Sequence, residues 1–141
     1  MSSGVAVNAG CLEAFQELKL GTKGAERYKY IIFGLNSTFT EIEVVTKETQ
    51  TSYESFLKDL PEDECRWAVY DVDFTKDGGK RNKLAFISWT PDNAPVKRKM
   101  VHASSTDALR RSLVGIAVEI QGTDYSEVAH ETILEKASRG H

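Results

Sequence analysis

Apolar positions at residues 8–21 follow a helical spacing: Leu12, Phe15, Leu18 and Leu20 recur about every turn, Asn8 suits the N-cap and Gly21 suits the end. The period then shortens. Tyr28-Lys29-Tyr30-Ile31-Ile32-Phe33 is rich in aromatic and β-branched residues, as a strand requires. After a turn at Asn36-Ser37, Ile42 and Val44 alternate with Glu41 and Glu43 across 40–46, which predicts a hairpin. A short helix is expected over 52–60, ending before Pro61. Two more strands, 65–74 and 83–89, are joined through Lys76-Asp77-Gly78-Gly79, a turn signal of the Asp-Gly kind.

The stretch 95–115 predicts the longest helix, with Pro95 in its first turn, Gly115 at its end and Asp92 or Asn93 as cap. Advancing 100° per residue, one arc gathers Val101, Ala108, Ser112, Ser105, Leu109, His102 and Leu113 and faces a core. The opposite arc gathers Arg110, Ala103, Val114, Asp107, Met100, Arg111 and Ser104. A solvated arc normally carries Glu and Lys pairs; a methionine among small side chains and arginines reads as a contact surface. Residues 116–121 form a fifth strand, and because a strand reached through a long helix usually runs parallel to a neighbour, the sheet is expected to be mixed. A last helix opens at Ser126 and buries Val128, Ile133, Leu134 and Ala137. Residues 1–7 read as a flexible arm ahead of one domain over 8–141.

A chain of 141 residues buries a core without staples. Cys11 and Cys65 lie far apart with no spacing for zinc or a redox pair, and no apolar run approaches the ~18 residues of a membrane span. The start MSSGVAVNAG lacks the basic residues and long apolar stretch of a secretory signal, so a cytosolic, reduced protein is expected. The formal charge of −3 conceals a segregation: 1–75 carry 7 Lys/Arg against 13 Asp/Glu, 76–111 carry 9 against 3, and 112–141 carry 2 against 5. The +6 segment calls for an anionic partner such as an acidic protein, a phosphoinositide headgroup or nucleic acid.

Catalytic chemistry finds little purchase. His102 falls on the buried arc, His130 in the last helix and His141 at the end, none in a catalytic motif. Asp71 and Asp73 share one face of a strand without further ligands nearby, and read as a solvated sheet edge. Gly78-Gly79-Lys80 lacks the earlier glycine and the following hydroxyl of a phosphate loop, since Phe74 and Arg81 occupy those places. Ala85-Phe86-Ile87-Ser88-Trp89 matches half of an RNA-recognition signature, but Asn82, Lys83 and Leu84 break the other half.

The basic turn Gly79-Lys80-Arg81-Asn82-Lys83, the segment Trp89-Thr90-Pro91-Asp92-Asn93-Ala94-Pro95-Val96, the helix start Lys99-Met100-Val101-His102-Ala103-Ser104-Ser105 and Asp107-Ala108-Leu109-Arg110-Arg111 resemble the actin-depolymerising factor/cofilin family, its fungal members above all. So do Ser3-Gly4-Val5-Ala6-Val7 and Gln121-Gly122-Thr123-Asp124. The resemblance implies one α/β (α+β type) homology domain, with a mixed five- to six-stranded sheet flanked by helices on both faces. It implies no enzyme, no cofactor and no metal, but a cytoplasmic monomer of the actin cytoskeleton that binds actin monomers and ADP filaments and promotes severing and depolymerisation. By resemblance, Ser3, Gly4, Val5, Lys97, Lys99, Met100, Ser104, Asp107, Arg110 and Arg111 meet actin in both forms. Lys80, Arg81, Lys83, Glu135, Lys136 and Arg139 add a contact made only on filaments, Ser3 is a phosphorylation site, and phosphoinositides compete for the same cations. Three departures stand out: Thr106 replaces a usual lysine, the loop 22–27 is long, and Val118 falls where vertebrate members carry a pH-sensing histidine.

Overall fold

Asn8 stops the first strand and starts the first helix in one step. Its Oδ1 accepts from the Gly10 N–H at 2.7 Å, capping α1 (Ala9–Leu20), while β1 (Ala6–Val7) lies just before it. The structure, a computed structural model, describes residues 5–20, 28–49 and 52–139. Residues 5–7 depart from the expected arm. Ala6 and Val7 pair in parallel with Glu41 and Ile42, and Val5 is buried, because this apolar string finds an open strand edge to join. Ser3, Gly4 and the long loop 22–27 lie outside the described residues.

The remaining elements follow in chain order: β2 (Tyr30–Leu35), β3 (Glu41–Glu48), α2 (Tyr53–Lys58), β4 (Arg66–Lys76), β5 (Gly79–Trp89), α3 (Val96–Ser112), β6 (Ile116–Gly122), a 3₁₀ turn (Tyr125–Val128) and α4 (His130–Arg139). The six strands form one mixed sheet in the order β1-β3-β2-β4-β5-β6. β5 is longer at its start than its pattern suggested. Asp77 and Gly78 both take positive φ, 53° and 78°, so a two-residue turn lets Gly79 pair at once with Lys76. The chain then crosses through α3, and β6 returns parallel to β5.

Two helix starts differ from expectation. Neither Asp92 nor Asn93 caps α3. Pro95 holds φ −59° and ψ 143° at the N-cap, and the residue before a proline is steered away from helical angles, so the first turn waits for Val96. The last helix does not open at Ser126. There the chain makes one 3₁₀ turn capped by Asp124, extends at Ala129 (ψ 151°), and begins α4 at His130.

Each face of the sheet carries its own core. Under α2 and α4 lie Tyr30, Ile32, Phe56, Tyr70, Ile87, Trp89, Ile120, Val128 and Ile133. Under α1 and α3 lie Phe15, Leu18, Ile31, Phe33, Trp67, Val69, Phe86, Leu109 and Leu113. Strands buried on both faces explain the near-continuous apolar runs of β2 and of the first half of β4. At the end of β6 the packing is tight around Gly122, where a Cβ would stand 2.5 Å from Val128 Cγ1. Gly122→Ala is therefore expected to lower stability by about 1–3 kcal/mol through overpacking, read as a fall in Tm with the far-UV spectrum unchanged.

Candidate functional site

α3 is fixed by its inner side. His102 lies flat on Trp67 (ring centroids 4.0 Å, planes 12° apart), and Ser105, Leu109 and the cap residue Leu113 are buried beside it. Val101, Ala108 and Ser112 are half-buried, completing the arc read from the sequence. The other side is then necessarily outward. Met100 is 67% exposed, and Ala103, Ser104, Asp107, Arg111 and Val114 are exposed with it. Ser104 and Ser105 donate to Val101 O, and Ser112 donates to Ala108 O, so the helix's own carbonyls occupy these hydroxyls. What remains is a shallow stripe of small side chains around one thioether.

Charges frame this stripe, and most are already engaged. Lys97 and Arg98 stand over the Phe39 ring at 5.6 and 5.0 Å, and Arg98 also meets Glu64 at 3.1 Å. Lys99 Nζ donates to Asp92 O at 2.9 Å. Arg111 pairs with Asp107 at 2.8 Å, one helical turn away. Arg110 is half-buried with its Nε 3.2 Å from the Glu119 carboxylate of β6, yet off the line a hydrogen bond needs; we read this contact as electrostatic. Val5, grouped by resemblance with these residues, packs into the core beneath α1 and α3 and presents no side chain to a partner.

His102 also explains Thr106. The imidazole Nε2 lies 3.0 Å from Arg66 O, so that nitrogen carries the proton and donates. Trp67 Nε1 donates to Thr106 Oγ1 at 2.9 Å, and Thr106 in turn donates to His102 O at 2.8 Å. A lysine at 106 offers the indole no acceptor. Burial is the main reason the imidazole pKa falls from 6.5 to about 4; the Arg66 carbonyl opposes the shift.

The second predicted group lies on other elements. Lys80 and Arg81 are exposed on the β4–β5 hairpin, and Lys83 is half-buried with Nζ 5.7 Å from the Phe74 ring. Glu135, Lys136 and Arg139 are exposed on α4, Glu135 and Arg139 paired on the side away from Ile133 and Ala137, and Lys136 on the flank, where it lines a pocket with Thr106 and Glu119. The reading of a solvated sheet edge holds for the exposure of Asp73 but not for Asp71 or for the strand's place in the sheet. β4 is an inner strand, Asp71 is buried and accepts from Asn82 at 2.9 Å, and Asp73 pairs with Lys29 at 2.6 Å. Among the described residues, no group of His, Cys, Asp and Glu is arranged to hold a metal, and no helix is long and apolar enough to cross a membrane.

Residues 4–138 match the family model described as Cofilin/tropomyosin-type actin-binding protein. The chain belongs to this family. It is 59% identical to the cofilin of Mycosarcoma maydis over 99% of this chain and 98% of that one, and 52% identical to the cofilin of Saccharomyces cerevisiae over 98% and 95%. The crystal structure of Streptomyces griseoflavus cofilin superposes with a TM-score of 0.89 at 60% identity, covering 98% of this chain and all of that one. As a cofilin-family domain it shows three features that sequence patterns did not announce: Phe39 beneath two cations, the Trp67–Thr106 bond, and Glu119 opposite Arg110. Each joins residues remote in sequence, so no local period carries it.

The folded imidazole of His102 has the lower pKa, so the neutral form is favoured by folding. That stability is whole above pH 6.5 and is lost as the pH falls towards 4, about 3 kcal/mol in all. Between pH 7 and pH 4 the parent should lose that much more urea-unfolding free energy than His102→Gln, which keeps a donor for Arg66 O and does not titrate.

Proposed function

We infer that the protein binds actin as monomer and as filament, prefers the ADP state, alters filament twist and promotes severing and depolymerisation. The observation that carries the reading is the outward stripe of α3: an exposed Met100 among Ala103, Ser104 and Asp107, framed by Lys97, Lys99, Arg110 and Arg111, in a cofilin-family chain. A helix with a small-residue stripe enters a cleft more deeply than one with bulky side chains. Arg110 and Arg111 at its margin then exchange their own carboxylates for those of the partner, which sets orientation more than affinity.

Lys80, Arg81 and Lys83, with Glu135, Lys136 and Arg139, form the contact used only on filaments. A protein that touches two neighbouring subunits favours the filament geometry in which both contacts are made, and so shifts twist by differential affinity. Phosphoinositide headgroups compete for the same cations. By the family resemblance, phosphorylation at Ser3 adds about −1.5 to −2 of charge to a segment that meets actin, and so weakens binding. The protein acts in the cytoplasm, on the actin cytoskeleton, as a monomer and without catalytic turnover. A monomer-binding relative that does not sever is the second reading; the exposed Lys80, Arg81 and Arg139 favour the first.

Co-sedimentation with actin filaments and a monomer-binding assay test the division of the surface. Arg110→Ala with Arg111→Ala is expected to weaken both interactions roughly thirtyfold, about 2 kcal/mol. Lys80→Ala with Arg81→Ala should spare monomers and weaken filament binding alone, and equal losses in both assays would refute the division. Ser3→Glu is expected to sediment less with filaments than the parent at moderate salt.

A further inference from the structure

We propose that the apolar pocket formed by the end of α2, the 59–64 loop and Tyr125 is a docking site for a basic segment of a partner protein, one that lays an arginine or lysine side chain along the Tyr125 ring. The pocket, about 430 Å³, is lined by Leu57, Leu60, Pro61 and Tyr125 with Lys58 and Glu62 at its margin. It belongs to neither actin contact proposed above and does not rest on that reading.

Its walls are held rigidly. Tyr125 Oη donates to Leu60 O at 2.6 Å, Trp89 Nε1 donates to Pro61 O at 2.7 Å, and the Leu60 N–H donates to Leu57 O at 3.1 Å. The Tyr125 and Trp89 rings are 4.9 Å apart, so Tyr125 is fixed at both its oxygen and its ring. The far end of the loop is tied by Glu64 to Arg98. A partner meeting such a surface loses little freedom in the protein itself, which favours binding at small area.

Charge selects the occupant. Of the four acids in the loop, Asp59 accepts from Tyr30 at 2.5 Å and Glu64 pairs with Arg98, whereas Glu62 and Asp63 are exposed and have no ion-pair partner among the described residues. Among the described residues, Lys58 is the one cation in the lining, beside Glu62. An arginine or lysine places its methylenes on leucine, proline and the tyrosine face while its charge reaches Glu62, which lines the pocket, and Asp63 next to it in the loop.

The probe is a fluorescein-labelled peptide, Leu-Arg-Arg-Leu-Arg-Arg, titrated into the full chain at low salt and followed by anisotropy, with Leu-Glu-Glu-Leu-Glu-Glu as control. Saturable binding of the basic peptide alone is expected, weakening as salt is added. Glu62→Lys with Asp63→Lys should weaken it about tenfold, and Lys80→Ala with Arg81→Ala should leave it unchanged. Amide shifts in the unaltered protein should move at Leu57, Glu62 and Tyr125. Absence of binding, equal binding of the acidic peptide, indifference to the double reversal, or shifts centred elsewhere would each overturn the proposal. So would sedimentation showing that the pocket is closed by a second copy of this chain.

Discussion

The rotation of α3 about its own axis is the constraint on which the rest depends, and the stack of His102 on Trp67 sets it. A slip of one residue turns a helix by 100°, which would swing Ala103 onto the indole and bring Asp107 towards the apolar layer. Such a slip strands the Trp67 N–H, now answered by Thr106, and removes the donor facing Arg66 O. Buried polar groups left without partners cost about 1–3 kcal/mol each, so hydrogen bonding fixes the rotation as firmly as apolar burial does. The outward stripe is a consequence of that fixed inner side.

The outer charges obey different energetics. Arg111 and Asp107 form an exposed pair one turn apart, and such pairs contribute about 0.3–0.5 kcal/mol. Releasing Arg111 to a partner's carboxylate therefore costs little. Arg110 is less free, being half-buried against Glu119 with an Nε that lacks a well-aligned acceptor. That Nε is out of reach of solvent and of a partner, whereas Arg111 is exposed, so the two adjacent arginines are unequal despite their equal formal charge.

The main strands and helices and both arcs of α3 were legible because they rest on periods of 2 and 3.6 residues within short windows, as in Ile42 and Val44 or Leu109 and Leu113, and the mixed sheet follows from a strand reached through a long helix. Boundaries were less so. The β4–β5 turn is shorter than its glycines suggested, since Asp77 accepts a left-handed conformation as Gly78 does. Cap chemistry alone points to Asp92 or Asn93, but the restriction a proline places on its predecessor moves the cap to Pro95. The string 5–7 reads as a loose arm because the partner of Ala6 and Val7 is the edge of β3, more than thirty residues away, and no pattern within the string itself reports an open edge. Nothing in the spacing of Lys80, Arg81 and Arg139 marks them off from ordinary surface cations; only the family resemblance singles them out.

Charge counting along the sequence likewise overstated what α3 can offer. The +6 of residues 76–111 assumes nine cations free to attract a partner. In the fold, Arg98 is held by Glu64, Lys99 by a backbone carbonyl, Arg110 by Glu119 and Arg111 by Asp107. Two of those carboxylates, Glu64 and Glu119, come from outside the basic segment, so folding returns acidic charge to the place where the chain had concentrated basic charge. Long-range attraction is correspondingly weaker than the linear count implies, and recognition passes to shape: the exposed Met100 and the small residues beside it, which no neighbouring carboxylate can neutralise.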